Sequence, residues 1–382
     1  MKKSLLALAV FSSFAGVASA QTSIILYGVI DGAVRREVGL DEKTKIRIRD
    51  GSNMNSNRIG FRGTEDLGSG MNAHFVLESG FFSGTGTQTP IAGFAFDRLA
   101  FVGVTTGFGT LDLGRVYGPA FYAALSSDPM EAHFTGVDPL LRNSVSASQN
   151  SDNTFTSNTR TDNALLYTNK FGDLTVRAMY AFGEVAGAVN NGSTKAVGAV
   201  YQNKNFSLDA AYTRKSLRAD FTPTTLADKS VVSLYGNDLA VAGVPPAFRE
   251  ATYYTVGGSY TIGGLRGTLG YSKERRETAT RDHSERVTYA GLRYNFTPLL
   301  ALSSGYFKED LSSSRGSSRK DLYMLAATYA LSKRTSLFAE IDHANFRGAE
   351  YPNDPIGQFI RTDLAPGGAI RNGTMVGVSH SF

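Results

Sequence analysis

The connections between the alternating segments of this chain come in two sizes, and the sizes take turns. Short ones fall at 66–70, 106–109, 171–173, 202–205, 263–264, 297–298 and 332–334. Long ones cover roughly 36–55, 82–95, 117–160, 184–194, 216–250, 278–284, 310–318 and 346–370. The segments between them have a period of two, the signature of strands. Leu174, Val176, Ala178, Tyr180 and Phe182 share one face, and Thr175, Arg177, Met179 and Ala181 the other. The same split separates Phe206, Leu208, Ala210 and Tyr212 from Ser207, Asp209, Ala211 and Thr213, and Leu265, Leu269 and Tyr271 from Arg266, Thr268 and Ser272. Fifteen connections imply about sixteen antiparallel strands. Because the chain reverses at each connection, strict alternation puts every long loop at one end. A sandwich or propeller has no reason for that asymmetry; an up-and-down barrel requires it.

Composition says what surrounds the barrel. Hydrophobic residues make up 42% of the 382 and charged ones only 19%, with 18 Tyr, 24 Phe and 41 Gly. A β protein with so few charges suits an exterior in lipid, where closure leaves no backbone edge without a hydrogen-bond partner. The expected fold is therefore all-β, a transmembrane 16-stranded antiparallel up-and-down barrel. At that strand number the lumen holds water rather than side chains alone. No run after the first 20 residues reaches the ~20 apolar residues of a helical span. The absence of Cys excludes disulfides, Cys-based zinc sites and thiol catalysis. The five histidines lack metal-ligand spacing, and neither a G-x-S-x-G elbow nor a phosphate-binding glycine loop occurs. No catalytic residue, metal or cofactor is expected.

The N-terminus reads as an export signal: Lys2 and Lys3, an apolar run from Leu5 to Val17, then Ala18-Ser19-Ala20 as the cleavage site. This divides the chain into a signal peptide, 1–20, and a barrel domain, 21–382. Removing two lysines leaves 37 − 34 = +3, too small a surplus to argue for nucleic acid. At the other end Val376, Val378 and His380 share the face of the terminal Phe382.

Several strings resemble trimeric Gram-negative general porins of the β-proteobacterial type. They are Leu26-Tyr27-Gly28; the run from Ser56 to Gly68; Leu77-Glu78-Ser79-Gly80-Phe81; Arg98-Leu99-Ala100-Phe101-Val102-Gly103; Leu113-Gly114-Arg115-Val116-Tyr117-Gly118; and the ending Val376 to Phe382. The resemblance implies a homotrimer in the outer membrane, in contact with its lipids, passing small hydrophilic solutes and ions by passive diffusion. It also implies that the third long loop, 117–160, folds inward as a constriction, and that Phe382 is the signal read by the barrel assembly machinery. The alternatives are a solute-specific channel for small carboxylates or phosphate and, further off, a barrel serving as adhesin or enzyme.

Parity selects the residues of the filter. With Ile59 and Phe61 facing lipid, Arg58, Gly60 and Arg62 face in. On the fourth strand Leu99 and Phe101 are expected outside, with Arg98 and Ala100 inside. The family resemblance implies that Arg58 and Arg98 form a basic ladder, with Arg62 the next candidate. Arg177, Arg266 and Arg293 have inward parity without motif support, and Val29, Asp31, His74 and Glu78 also face in. Asp128 and Glu131 are the acids expected on the inward loop, giving one basic and one acidic wall and a modest anion preference. Arg115 shares the outward face of Leu111 and Leu113, where an Arg at mid-membrane costs about 2–4 kcal/mol. The resemblance places it near a subunit contact instead. The family's acidic latch from the second loop is missing, because Phe82 to Phe96 contains no Asp or Glu.

Overall fold

The computed structural model describes residues 23–38, 44–50, 54–87, 95–133, 160–216, 248–278, 282–313, 316–348 and 369–382. The expected signal peptide and its cleavage site at Ala20 lie outside them, as does the third loop between 134 and 159.

Seventeen strands form one closed antiparallel sheet. The first six are β1 (Ser23–Val38), β2 (Thr44–Asp50), β3 (Arg58–Gly68), β4 (Met71–Gly80), β5 (Leu99–Thr106) and β6 (Gly109–Tyr117). A helix, α1 (Pro119–Ser127), follows, then β7 (Arg160–Phe171), β8 (Leu174–Ala181), β9 (Thr194–Gln202), β10 (Phe206–Ser216) and β11 (Phe248–Ile262). The circuit ends with β12 (Leu265–Thr278), β13 (Asp282–Asn295), β14 (Leu300–Ser313), β15 (Gly316–Ala330), β16 (Thr335–Gly348) and β17 (Ala369–Ser381).

Each strand from β3 onward pairs with the next, and β17 pairs with β1 from Val29↔Ser381 to Val38↔Asn372. β2 and β3 share one position in the wall, so seventeen strands make sixteen staves. The lower part of β1 pairs with β3 up to Val29↔Arg58, and the upper part pairs with β2 from Gly32↔Asp50. At the break between them, the Asp31 carboxylate accepts the backbone N–H groups of Met54 (2.9 Å) and Asn55 (2.6 Å).

The seven short turns fall where expected, but three long loops shrink. β1 and β2 form a hairpin through what reads as loop 36–55, and the β12–β13 and β14–β15 pairs continue to Glu277↔Asp282 and Ser313↔Gly316. Their upper ends are rich in charge, which reads as loop, yet above a bilayer a strand can be polar on both faces.

The outer face carries the exposed apolar side chains, among them Ile24, Leu26, Ile59, Phe61, Leu208, Leu269, Ile341 and Val376. β5 reverses the expected parity: Val102 and Val104 are the exposed residues, Leu99 and Phe101 face in, and Ala100 faces out. Phe101 packs edge-on to His74 and joins the inward cluster of Val116, Leu166 and Met179. Leu99 to Val104 is apolar or small at every position, so alternation alone does not mark its lipid side. The seam is closed at Phe382, whose N–H and C=O both bond to Gly28 (3.1 and 3.2 Å), with its ring over that glycine.

Candidate functional site

The third loop enters the lumen through α1. Pro119 occupies the first turn, where its missing N–H costs nothing. Ala120, Ala123, Ala124 and Ser127 form one narrow buried face, which lets the helix lie flat on the inner wall of β9, β10 and β11. The wall is cut to fit, since a Cβ at Gly257 would overlap the Ser127 side chain and one at Gly291 would overlap Pro129. Past the helix, Met130 is buried among inward residues including Val287, Phe307, Leu322 and Met324, a burial worth about 1.5–3 kcal/mol.

Polar contacts fix the same loop. Ser126 donates to Asp209 (2.9 Å), and the Ser127 and Tyr289 hydroxyls are 2.7 Å apart. Arg266 donates to the Ser126 carbonyl (2.7 Å). The Glu131 carboxylate is held on both oxygens, by Arg266 at 3.1 Å and Arg293 at 3.2 Å. Asp128, expected in the lumen beside Glu131, instead turns back into its own loop. It is 2% exposed and accepts the N–H groups of Met130 (2.9 Å) and Ala132 (2.6 Å). Burial pushes its carboxyl up to about 7, against the pull of those two donors. The turn it caps holds Glu131 and Ala132 at positive φ (56° and 58°).

The wall of β1, β3 and β4 carries the expected arginines. Arg58 and Arg62 face in across from Gly80 and Val76, and Arg62 lies over the inward Tyr27 ring, 5.5 Å from its centroid. Arg98 precedes β5, so strand parity does not govern it. It reaches Glu78 on β4 (2.5 Å) and the Tyr117 hydroxyl (3.3 Å). Glu78 also accepts from Tyr27 (3.1 Å) and faces Arg58 (3.6 Å). At the root of the loop, Arg160 packs on Tyr117, 4.9 Å from its centroid, and Arg177 on Tyr122 at 3.8 Å.

Glu131, about one-third exposed, and the buried Glu78 are thus each bracketed by two arginines, while the inward Asp112 pairs with His74 (2.7 Å). Arginines therefore stand on both walls, Arg58, Arg62 and Arg98 on one and Arg266 and Arg293 on the other, in place of the expected division into a basic and an acidic wall. Sequence reasoning missed Tyr117, Arg160 and Asp209. An aromatic cluster, Tyr117, Phe121 and Tyr122, at the loop's root was the available signal for the first of these.

Arg115 faces outward, opposite Ala100, as parity required. Its acid comes from β7: Arg115 pairs with Asp162 and donates to the Asp97 carbonyl (2.7 Å). Among the described residues no group of three His, Asp or Glu is arranged to hold a metal ion.

A family model described as Gram-negative porin matches residues 5–349. The chain belongs to that family. It is 41% identical over 149 residues to an outer membrane porin of Bordetella pertussis and 35% identical over 189 residues to outer membrane porin protein 32 of Delftia acidovorans. These alignments cover 35% and 48% of this chain, and only 38% and 50% of the relatives' own lengths. The major outer membrane protein P.IB of Neisseria gonorrhoeae aligns over 88% of this chain and 91% of its own, at 28% identity. Among solved structures, the fold matches an anion-selective porin from Comamonas acidovorans (TM-score 0.73, 21% identity), covering 95% of this chain and all of that one. It also matches the trimer form of OmpT of Vibrio cholerae (TM-score 0.64, 16% identity), covering 94% and 99%.

Proposed function

We propose that the protein is a passive diffusion channel of the outer membrane, for small hydrophilic solutes and ions, with a modest preference for anions. The observation that carries the preference is the excess of inward arginines. Arg58, Arg62, Arg98, Arg177, Arg266 and Arg293 outnumber the acids nearest them, Glu78, Asp112 and Glu131, while Asp128 and Asp209 are buried where the loop meets the wall. Preference rather than exclusion follows from magnitude. One Arg about 4 Å from an ion contributes roughly 1 kcal/mol in a water-like dielectric, and salt screens charges beyond about 8 Å. A wet lumen lined with fixed charge thus biases traffic several-fold.

The chain works in this reading as a homotrimer, with Arg115 near a subunit contact, held by its own Asp162. Export follows cleavage after Ala20, and Phe382 serves as the assembly signal. Arg58, Arg98 and Arg62 form the basic wall of the constriction, and Glu131 is the loop acid that faces it. The test is the reversal potential of bilayer-inserted protein in a salt gradient, for wild type and Arg58→Ala/Arg98→Ala. The double variant moves toward cations; an unchanged potential removes these two arginines from the filter.

A further inference from the structure

A cavity of about 540 Å³ lies under α1, between the helix and the short turn at 202–205, against the inner face of β8 to β12. It occupies the short-turn half of the lumen, across from the arginines of β3. Tyr122, Leu125 and Ser126 line it from the helix. Their i, i+3, i+4 spacing makes one face, beside the alanine face that seats α1 on the wall. Two arginines reach this face one helical turn apart. Arg177 of β8 lies over the Tyr122 ring, 3.8 Å from its centroid, and Arg266 of β12 donates to the Ser126 carbonyl (2.7 Å).

The two arginines differ in what they still lack. Arg266 is engaged by that carbonyl and by Glu131 (3.1 Å), the one acid lining the cavity among the described residues. Arg177 stands between Thr168 and Gly198 on the neighbouring strands, and no carboxylate pairs with it among the described residues. Asp112, inward on β6, is taken by His74. A guanidinium stacked on a ring by its face keeps its edge N–H groups for an oxyanion. Lys204, exposed on the turn, adds a further cation at the other end of the cavity.

The wall between these cations is set for hydroxyl groups. Register places Gln202 opposite Ser207 and Ser207 opposite Ser259, one inward row with neighbours ~5 Å apart. Ser207 is 3% exposed, and its Oγ has no hydrogen-bond partner among the described residues. A buried hydroxyl in that state destabilises the fold unless a bound group completes it. Leu125 and Val200 supply apolar surface alongside. The volume falls in the ~300–1,000 Å³ range of small-molecule sites and is many times the ~30 Å³ share of one water, so a lone inorganic anion would leave most of it unused.

Resting on the pore reading above, we infer that this cavity is a transient binding site for a monosaccharide carrying one anionic group, a carboxylate or a phosphate. The anion goes to Arg177, with Lys204 drawing it in. The ring hydroxyls meet Gln202, Ser207 and Ser259, and the C–H face of the ring rests on Leu125 and Val200. Because the lumen is wet, binding is weak enough for release, as passage requires.

The experiment is ion current through the intact protein in a planar bilayer, at matched ionic strength, with glucuronate, glucose 6-phosphate, glucose, acetate or inorganic phosphate added. Glucuronate or glucose 6-phosphate should reduce the wild-type current with saturation at roughly millimolar concentration, and glucose, acetate and inorganic phosphate should not. Block by either anionic sugar alone supports the site and names its anion. Arg177→Gln should raise the half-blocking concentration about tenfold, and Ser207→Ala/Ser259→Ala about threefold to tenfold. Equal block by acetate, inorganic phosphate or glucose overturns the inference, as does an unchanged half-blocking concentration in Arg177→Gln. So does block that is lost in Arg58→Ala/Arg98→Ala yet kept in Arg177→Gln, which would put the site on the opposite wall. The solute comparison in wild type needs no variant, and Ser259→Ala alone serves if Arg177→Gln does not fold. Absence of any conductance counts against the pore reading, whereas conductance without saturable block counts against the sugar site alone.

Discussion

Replacing Glu131 with Gln removes one negative charge from the throat and leaves Arg266 and Arg293 facing the opening without their shared acid. The carboxylate now accepts from both, at 3.1 and 3.2 Å, and is about one-third exposed. Charge-assisted bonds contribute about 1.5–3 kcal/mol each when dry. Discounted for solvent, the loop loses about 1–2 kcal/mol of anchoring, which leaves α1 and Met130 to hold it in place. The electrostatic effect is smaller and more diagnostic. An anion passing about 6 Å away gains ~0.7 kcal/mol from the lost repulsion in a water-like dielectric, and screening reduces this to ~0.3 kcal/mol. That raises anion occupancy about 1.7-fold and lowers cation occupancy as much, so the anion-to-cation permeability ratio rises about threefold. Reversal potentials across planar bilayers in a salt gradient measure this ratio directly. Arg266→Gln should move it the other way. The reasoning fails if Glu131→Gln leaves the ratio unchanged, or if conductance alone rises, which would make Glu131 a mechanical latch and not part of the filter.

Gly257→Val puts a side chain where Ser127 lies; the helix is expected to be pushed off the wall into the lumen, with smaller single-channel conductance and a stability loss of about 1–3 kcal/mol in denaturant titration. Asp162→Ala strands the half-buried Arg115, and heated electrophoresis should show earlier dissociation of the oligomer, whereas Asp162→Glu preserves it. Asp128 carries a pH dependence whose sign follows from its raised carboxyl, about 7 in the fold against ~3.9 unfolded. Its contribution is complete below about pH 4 and is lost as pH rises through 7, so open-channel noise should increase between pH 6 and 8 in wild type and stay flat in Asp128→Asn.

Strand number, turn positions and most faces were legible because a wall between lipid and water forces one side of each strand to be apolar. Leu174 to Phe182 and Phe206 to Thr213 show it plainly. β5 was not legible, since Leu99 to Val104 would suit either side until the contact between His74 and Phe101 decides. The arginines were readable as inward positions, but their pairings were not. Glu131 meets Arg266 and Arg293 across more than a hundred residues of chain, and only barrel closure sets that distance. α1 gave no signal either, because its buried face is built from alanine and serine, and its mate is the wall rather than a core.

The break in the second stave has a bearing on variation. A strand that gains or loses one residue normally turns every later side chain to the wrong face. Here β1 is registered twice, by β3 below the break and by β2 above it, with Asp31 holding the joint. A length change between β1 and β2 therefore does not pass to β3, whose own pairing with the lower part of β1 sets Arg58 opposite Val29, so a tag or epitope inserted between Val38 and Thr44 would leave the filter in register.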